Sequence, residues 1–426
     1  MRRSFRLFLV AVSLTLAGCA GSPQPVMRTP SGASINGNLP DFSANGRESS
    51  GMEPMATANA GRASITPYYQ TPAAQNGSPV VNPAPAAPTA DLPPVKVGLL
   101  VPMSGPQGAL GQAMLNAAQL ALFDVGATNI TLLPHDTAPG AAKAANDVLN
   151  EGAQIILGPL FAQDVKAVSP IAASRNIPVI AFSTDWTAVS ANTYIMGFLP
   201  FGQVSRVVDY AIRNGARNFA ALVPQTPYGA AVNGTLKNEL NRQRLAAPAS
   251  VVFSDTMLPQ AVQQINNTKM VDSLVLPLGG TQLAQTATLL RQNNWNMRQI
   301  HILGTGLWDD APQNAAIVPG GWYAAPDPRL RIAFTNKYNE TYGQNPPRLA
   351  TLAYDATALA AALAVKGQRE NGKPAYDRAD LTNPSGFAGL DGVFRFRPDG
   401  LAERGLAVLE IRNGGSVVID PAPTRF

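Results

Sequence analysis

His135 and His301 are the only histidines among the 426 residues, and Cys19 is the only cysteine. A Cys/His zinc centre cannot be assembled from that inventory, nor can a disulfide within the chain, so neither a metal nor a cofactor is expected. There is no G-x-S-x-G turn to carry an acyl-transfer serine and no G-x-x-x-x-G-K-[ST] loop to cradle a nucleotide phosphate. His135 stands beside Asp136 at the end of a strand pattern, where a surface or capping histidine is the ordinary reading and a general base the weaker one. A carboxylate-pair hydrolase stays open, because the spacing of two acids in space leaves no mark in the sequence. The balance of these observations predicts a protein that is not an enzyme.

What the sequence does offer is polar turns where strands end. Ser104-Gly105-Pro106, Gly158-Pro159-Leu160 and Ser183-Thr184-Asp185 each follow a short apolar run and precede a helical pattern. At such points helix N-termini present free N–H groups and the positive end of the helix dipole, which suits an anionic or polar ligand. Each turn also has a purely structural reading. Gly105, Gly108 and Gly111 can serve a turn and close helix packing, Pro159 suits a first helical turn, and Ser183 can be a helix cap.

Those turns imply the elements that hold them. VKVGLLVP (95–102) reads as a buried strand, and Leu110, Met114, Ala118, Leu122 and Val125 then recur on one helical face. NITLLP (129–134), AQIILG (153–158) and IPVIAF (177–182) are further strands, with Val165, Val168 and Ala172 inward on a helix between the last two. The alternation resumes with a helix over 201–214, NFAALVP (218–224), a helix over 228–242, SVVFS (250–254), DSLVLPL (272–278), a helix carrying Leu283, Ala287 and Leu290, and IHILGTG (300–306). Repeated strand and helix at this spacing implies parallel sheets covered on both faces, and two such runs exceed one comfortable sheet. A long helix over 349–365 and a hairpin of GLDGVFRFRPDG with LAVLEIRNGG are expected to close the chain. The expected fold is α/β and two-lobed, each lobe a parallel sheet flanked by helices. Lobe 1 takes about 95–198 and 326–388, and lobe 2 about 199–325 and 389–426.

Residues 1–19 have a basic start, an apolar run from Leu7 to Leu16 and small residues before Cys19. This is a signal-peptide layout, and the run is too short to span a bilayer. The ending Leu16-Ala17-Gly18-Cys19 resembles the lipobox of bacterial lipoproteins, which implies that Cys19 is acylated and anchors the chain to a membrane. Ala20 rather than Asp follows, which in such proteins points to the periplasmic side of the outer membrane rather than the inner one. Loss of Arg2, Arg3 and Arg6 with the signal lowers the formal charge from +5 to +2. That is too little for a phosphate-tracking surface, so nucleic acid is not an expected partner. Residues 20–94, rich in Pro, Ala, Gly and Ser, cannot bury enough apolar area to offset their ordering entropy and are expected to form a flexible tether before a module spanning 95–426.

The motifs VGLLVPMSGPQGALGQAMLNAAQLAL, IILGPLFAQDV, IPVIAFST, NFAALVPQTPYGAAV, ILGTGLW, LAYDATALAAAL and GLDGVFRFRPDG together resemble the branched-chain amino-acid binding type of type I periplasmic binding fold. VPMSGPQGALG with ILGPLFAQDV looks more specifically like the lipoproteins described as penicillin-binding-protein activators. Enteric members carry a helical-repeat domain before this module, where the tether stands here. The resemblance implies that Ser104, Gly105, Gly158, Pro159, Leu160, Ser183 and Thr184 line an inter-lobe cleft, faced by Tyr228, Thr305 and Trp308 from the second lobe. Trp308 reads equally well as core packing. Asp185 stands where an amino-acid carboxylate would be received and would repel it unless its side chain caps the following turn. Two functions follow from the resemblance. One is a lipoprotein that regulates a peptidoglycan synthase, a penicillin-binding protein, by protein contact. The other is the solute-binding lipoprotein of an ABC importer for amino acids or small amides, with its small molecule in the cleft.

Overall fold

The computed structural model describes residues 89–268, 270–296, 299–309, 314–413 and 415–426. The signal peptide, Cys19 and most of the expected tether lie outside the described residues.

The near-continuous apolar run of β1 (Val95–Val101) makes it a central strand, flanked by β2 (Ile130–Asp136) and β3 (Ile155–Leu157). With β4 (Val179–Ala181) and β5 (Thr193–Ile195) it forms a parallel sheet of order β2-β1-β3-β4-β5. Side chains alternate across this sheet. Val97, Leu99, Ile155 and Leu157 pack on the side of α1 (Gly108–Val125), while Leu100 and Ile156 pack on the side of α2 (Ala141–Asn150) and α3 (Ala162–Ser174). Burial on both faces is why these strands read as apolar runs rather than alternating ones.

Lobe 2 begins with α4 (Pro200–Arg213), β6 (Phe219–Pro224), α5 (Pro227–Arg242), β7 (Ala249–Phe253) and α6 (Leu258–Asn266). It continues through β8 (Ser273–Val275), α7 (Gly280–Gln292), β9 (His301–Gly304), the short α8 (Asn314–Ile317) and β10 (Trp322–Ala325). The chain then returns to lobe 1 for α9 (Ile332–Tyr342), α10 (Ala350–Asn371), α11 (Arg378–Leu381), β11 (Phe387–Gly389), β12 (Gly392–Phe396) and β13 (Ala402–Arg404). A final crossing brings β14 (Ala407–Arg412) and β15 (Gly415–Asp420) onto the lobe 2 sheet, whose order is β15-β14-β10-β9-β8-β6-β7. α10 lies against α1, with Leu352, Ala356, Leu359 and Leu363 buried in the same core as Met114 and Ala118.

The two-lobed α/β architecture is the expected one, with three differences. β14 runs antiparallel to β10 and pairs with β15, so the lobe 2 sheet is mixed, and the two C-terminal segments expected to form one hairpin belong to different sheets. β12 pairs instead with β11 and β13. That small sheet buries Phe387, Phe394, Phe396 and Ala402 in the lobe 1 core, which moves the last lobe boundary from 388 to the β13–β14 junction. The folded module also starts before 95. Thr89 Oγ1 lies 2.9 Å from Thr128 Oγ1, and the Pro93 carbonyl accepts from Gln368 Nε2 at 2.7 Å.

Candidate functional site: the inter-lobe cleft and its charged floor

In lobe 1 the strand order puts the C-terminal ends of β1, β3 and β4 side by side, and the three polar turns with them. Asp136, at the end of β2, accepts from Met103 N–H at 2.8 Å and from Ala138 N–H at 3.0 Å, which fixes the start of the Ser104–Gly105 turn. Partial burial alone would raise the Asp136 pKa, but hydrogen bonds from Ser104, Ala138 and Met103 outweigh it and hold the carboxyl below its usual range. Gly111 lets α1 approach this turn, since a Cβ there would lie 1.9 Å from the Pro102 carbonyl oxygen. Gly158 serves a similar need at φ +90, with a Cβ position 2.1 Å from the Leu100 carbonyl oxygen. Pro159, in a cis bond to Gly158, precedes α3 by several residues and is no part of its first turn. Gly158, Pro159 and Leu160 are buried, as are Ser183 and Thr184. Ser104 and Gly105 are exposed.

Asp185 turns inward on its own loop. Its Oδ1 accepts from Thr187 N–H at 2.9 Å and from Thr187 Oγ1 at 2.6 Å, while Oδ2 meets Lys166 Nζ at 3.2 Å. Ser183 Oγ accepts from Asp185 N–H at 3.0 Å, so the hydroxyl steadies the turn while Asp185 supplies the cap.

In lobe 2, Thr226 caps α5 through Gly229 N–H and Pro227 opens the helix, which aims Tyr228 back toward β9. The Tyr228 hydroxyl donates to Thr305 Oγ1 at 2.8 Å, and burial pushes that phenol's pKa up despite the bond. Trp308 does not face the cleft. It is 1 % exposed within the lobe 2 core, lies over Gly304 and Gly321, and donates its indole N–H to the Leu278 carbonyl at 2.8 Å. Of the sequence candidates only Tyr228 borders the cavity that remains at the hinge, whose other walls include Phe198, Gln203, Gly306, Asp309 and Arg348. The cavity measures about 20 Å³, room for a water molecule.

The floor of the cleft is a buried charge cluster. Arg348 Nε lies 2.9 Å from Asp309 Oδ2, Nη2 lies 2.9 Å from Asp391 Oδ1, and Nη1 donates to Thr351 Oγ1 at 2.8 Å. The Thr351 hydroxyl donates to Asp391 Oδ2 at 2.6 Å. Phe198 lies beside both guanidinium groups, its ring centroid 4.2 Å from Arg348 and 5.0 Å from Arg404. Burial disfavours the charge on Arg348, yet Asp391 and Asp309 more than compensate and hold its pKa above the usual value. Burial likewise works against the Asp391 carboxylate, and Arg348 with Arg404 overcomes it. Asp355 differs. Burial and the neighbouring Asp391 push its carboxyl up to about 7, against the pull of Arg404 and the Leu390 N–H. Sequence reasoning missed this cluster, although an acid within the apolar face of LAYDATALAAAL was a visible anomaly.

A two-lobed α/β module with three chain crossings and a cleft between its sheets is the type I periplasmic-binding architecture. Residues 94–416 match the periplasmic binding protein family, and the chain belongs to it. Among solved structures, the chain is similar to an ABC transporter substrate-binding protein from Sphaerobacter thermophilus, with a TM-score of 0.60 at 18 % identity over 78 % of this chain and 98 % of that one. A solute binding protein of an ABC transporter from Rhodopseudomonas palustris, in complex with 3,4-dihydroxy benzoic acid, gives a TM-score of 0.57 at 20 % identity over 78 % and 97 %. The C-domain of LpoA from Haemophilus influenzae, a regulator of PBP1A, gives 0.59 at 17 % identity over 76 % and 99 %. A curated relative, an uncharacterized protein of Rickettsia prowazekii, is 22 % identical over 177 residues, 41 % of this chain. The chain spans about half the length of that relative, 47 % of it.

Proposed function

We propose that this protein is an envelope lipoprotein, anchored through Cys19 to the periplasmic side of the outer membrane, that regulates a peptidoglycan synthase by protein contact. The observation that carries this reading is the filling of the cleft. Solute pockets enclose roughly 300–1,000 Å³, whereas the cavity walled by Tyr228, Asp309 and Arg348 measures about 20 Å³. The Asp185 carboxylate and the Tyr228 hydroxyl are engaged within the protein, by Thr187, Lys166 and Thr305. A module closed in this way acts through its surface. The similarity to the LpoA C-domain is in keeping with it.

A second reading, the solute-binding lipoprotein of an ABC importer, is favoured by the substrate-binding proteins among the structural neighbours. Crosslinking in cells with identification of the captured proteins separates the two. Recovery of a bifunctional synthase supports the regulator. Recovery of an ABC permease, together with a calorimetric titration in which an amino acid or small amide binds at micromolar strength, replaces it with the importer.

A further inference from the structure

Arg348 belongs to lobe 1. It leads into α10, and Asp391, Thr351 and the face of Phe198 hold its guanidinium from that side. Its Nε edge points the other way and meets Asp309, which follows β9 in lobe 2, at 2.9 Å. A second guanidinium from the lobe 1 side, Arg331, just before α9, approaches the same Asp309 oxygen at 3.4 Å. Asp309 is thus the carboxylate that lobe 2 sets against two guanidinium groups of lobe 1. The seat is buried, with Arg348 9 % and Asp309 5 % exposed, so salt screens it little.

We propose that Asp309 acts as a built-in ligand: a lobe 2 carboxylate that occupies an arginine seat on lobe 1 and latches the lobes together without a solute. The asymmetry of the cluster suits a latch. When the lobes part, Arg348 keeps Asp391 and Thr351, so the seat stays assembled, and Asp309 leaves for water. The contact can therefore break and re-form as a unit, as a two-state element requires. This inference concerns the module's conformational state and goes beyond the question of which partner it meets.

The test measures the distance between the lobes by pulsed electron paramagnetic resonance on the full chain. Cys19→Ser removes the native thiol, and spin labels go on the exposed sites Gln163→Cys in α3 and Lys237→Cys in α5. The protein without further change should give one short distance population. Asp309→Ala should move most of that population to longer distances, and excess formate, a free carboxylate able to enter the vacated seat, should return it. Asp309→Asn keeps the shape and removes the charge, and it should shift in the same direction. An unchanged distribution in Asp309→Ala overturns the latch, as does a shift that formate does not reverse, which would mark lost packing rather than a lost charge. Where circular dichroism shows Asp309→Ala unfolded, the Asp309→Asn distribution decides alone.

Discussion

Replacing Asp355 with Asn should make the protein more stable at pH 8 and change little near pH 4. Asp355 lies on the buried face of α10 and accepts from Leu390 N–H at 2.7 Å, while the Asp391 carboxylate repels its charge. Its carboxyl titrates at about 7 in the folded protein, against an ordinary value of 3.8. Below about pH 4 both folded and unfolded chains hold the proton, and the group costs nothing. As pH rises toward 7 the unfolded chain releases its proton and the folded chain retains it, so stability is progressively lost, and above 7 the full penalty stands. A shift of about three pKa units corresponds to about 4 kcal/mol as an upper bound, and sharing of the titration with Asp391 brings the expectation to about 2–4 kcal/mol. Asn retains an oxygen for the Leu390 N–H and has no charge to bury. The assay is urea unfolding of parent and variant from pH 4 to pH 8, read as the difference between them. Groups with depressed pKa values, such as Asp136, Asp327 and Asp420, then cancel, because both proteins contain them. A variant that is less stable at pH 8, or a difference that does not vary with pH, refutes the reasoning.

Trp308→Ala should cost about 3–5 kcal/mol in denaturant unfolding, because it opens a cavity in the lobe 2 core and orphans the Leu278 carbonyl. A loss confined to binding, with stability intact, would return Trp308 to the cleft. Gly111→Ala should destabilise by about 1–3 kcal/mol, since the added methyl meets the Pro102 backbone rather than a movable side chain. Lys166→Ala, which breaks an ion pair at a lysine side chain that is 60 % exposed, should change the unfolding midpoint by less than about 1 kcal/mol. Cys19→Ala should release the protein from the membrane fraction with the melting curve of the folded module unchanged. Retention of the variant in that fraction would end the lipoprotein proposal.

The lobes were legible because parallel strands buried on both faces cannot hide in a sequence. Val95–Val101, Ile155–Leu157 and Phe219–Pro224 are apolar runs bounded by turns, and the helices between them carry their buried residues at helical spacing. Strands of other kinds were not legible. Thr193–Ile195 and Trp322–Ala325 are short and lack a distinctive flank, and the pairing of β12 and β14 depends on which sheet edge each reaches after a lobe crossing, which no local pattern records.

The cleft divides in the same way. The turns after β1, β3 and β4 could be found because strand ends are where polar side chains interrupt apolar runs. Arg348, Asp309 and Asp391 could not, because they lie far apart in the chain and are brought together only by the tertiary fold, Asp309 from lobe 2 and the other two from lobe 1. Taken singly, each looks like an ordinary surface charge. A buried charge is tolerated only with its partners in place, and breaking such a pair by removing one member typically costs about 3–5 kcal/mol. The cluster is therefore written as separate residues whose meaning depends on all of them. Asp355 was the one exception, since it interrupts an alanine and leucine face where water does not reach. A lone acid at a core position of an otherwise apolar helix is the local signal from which the rest of the floor could have been sought.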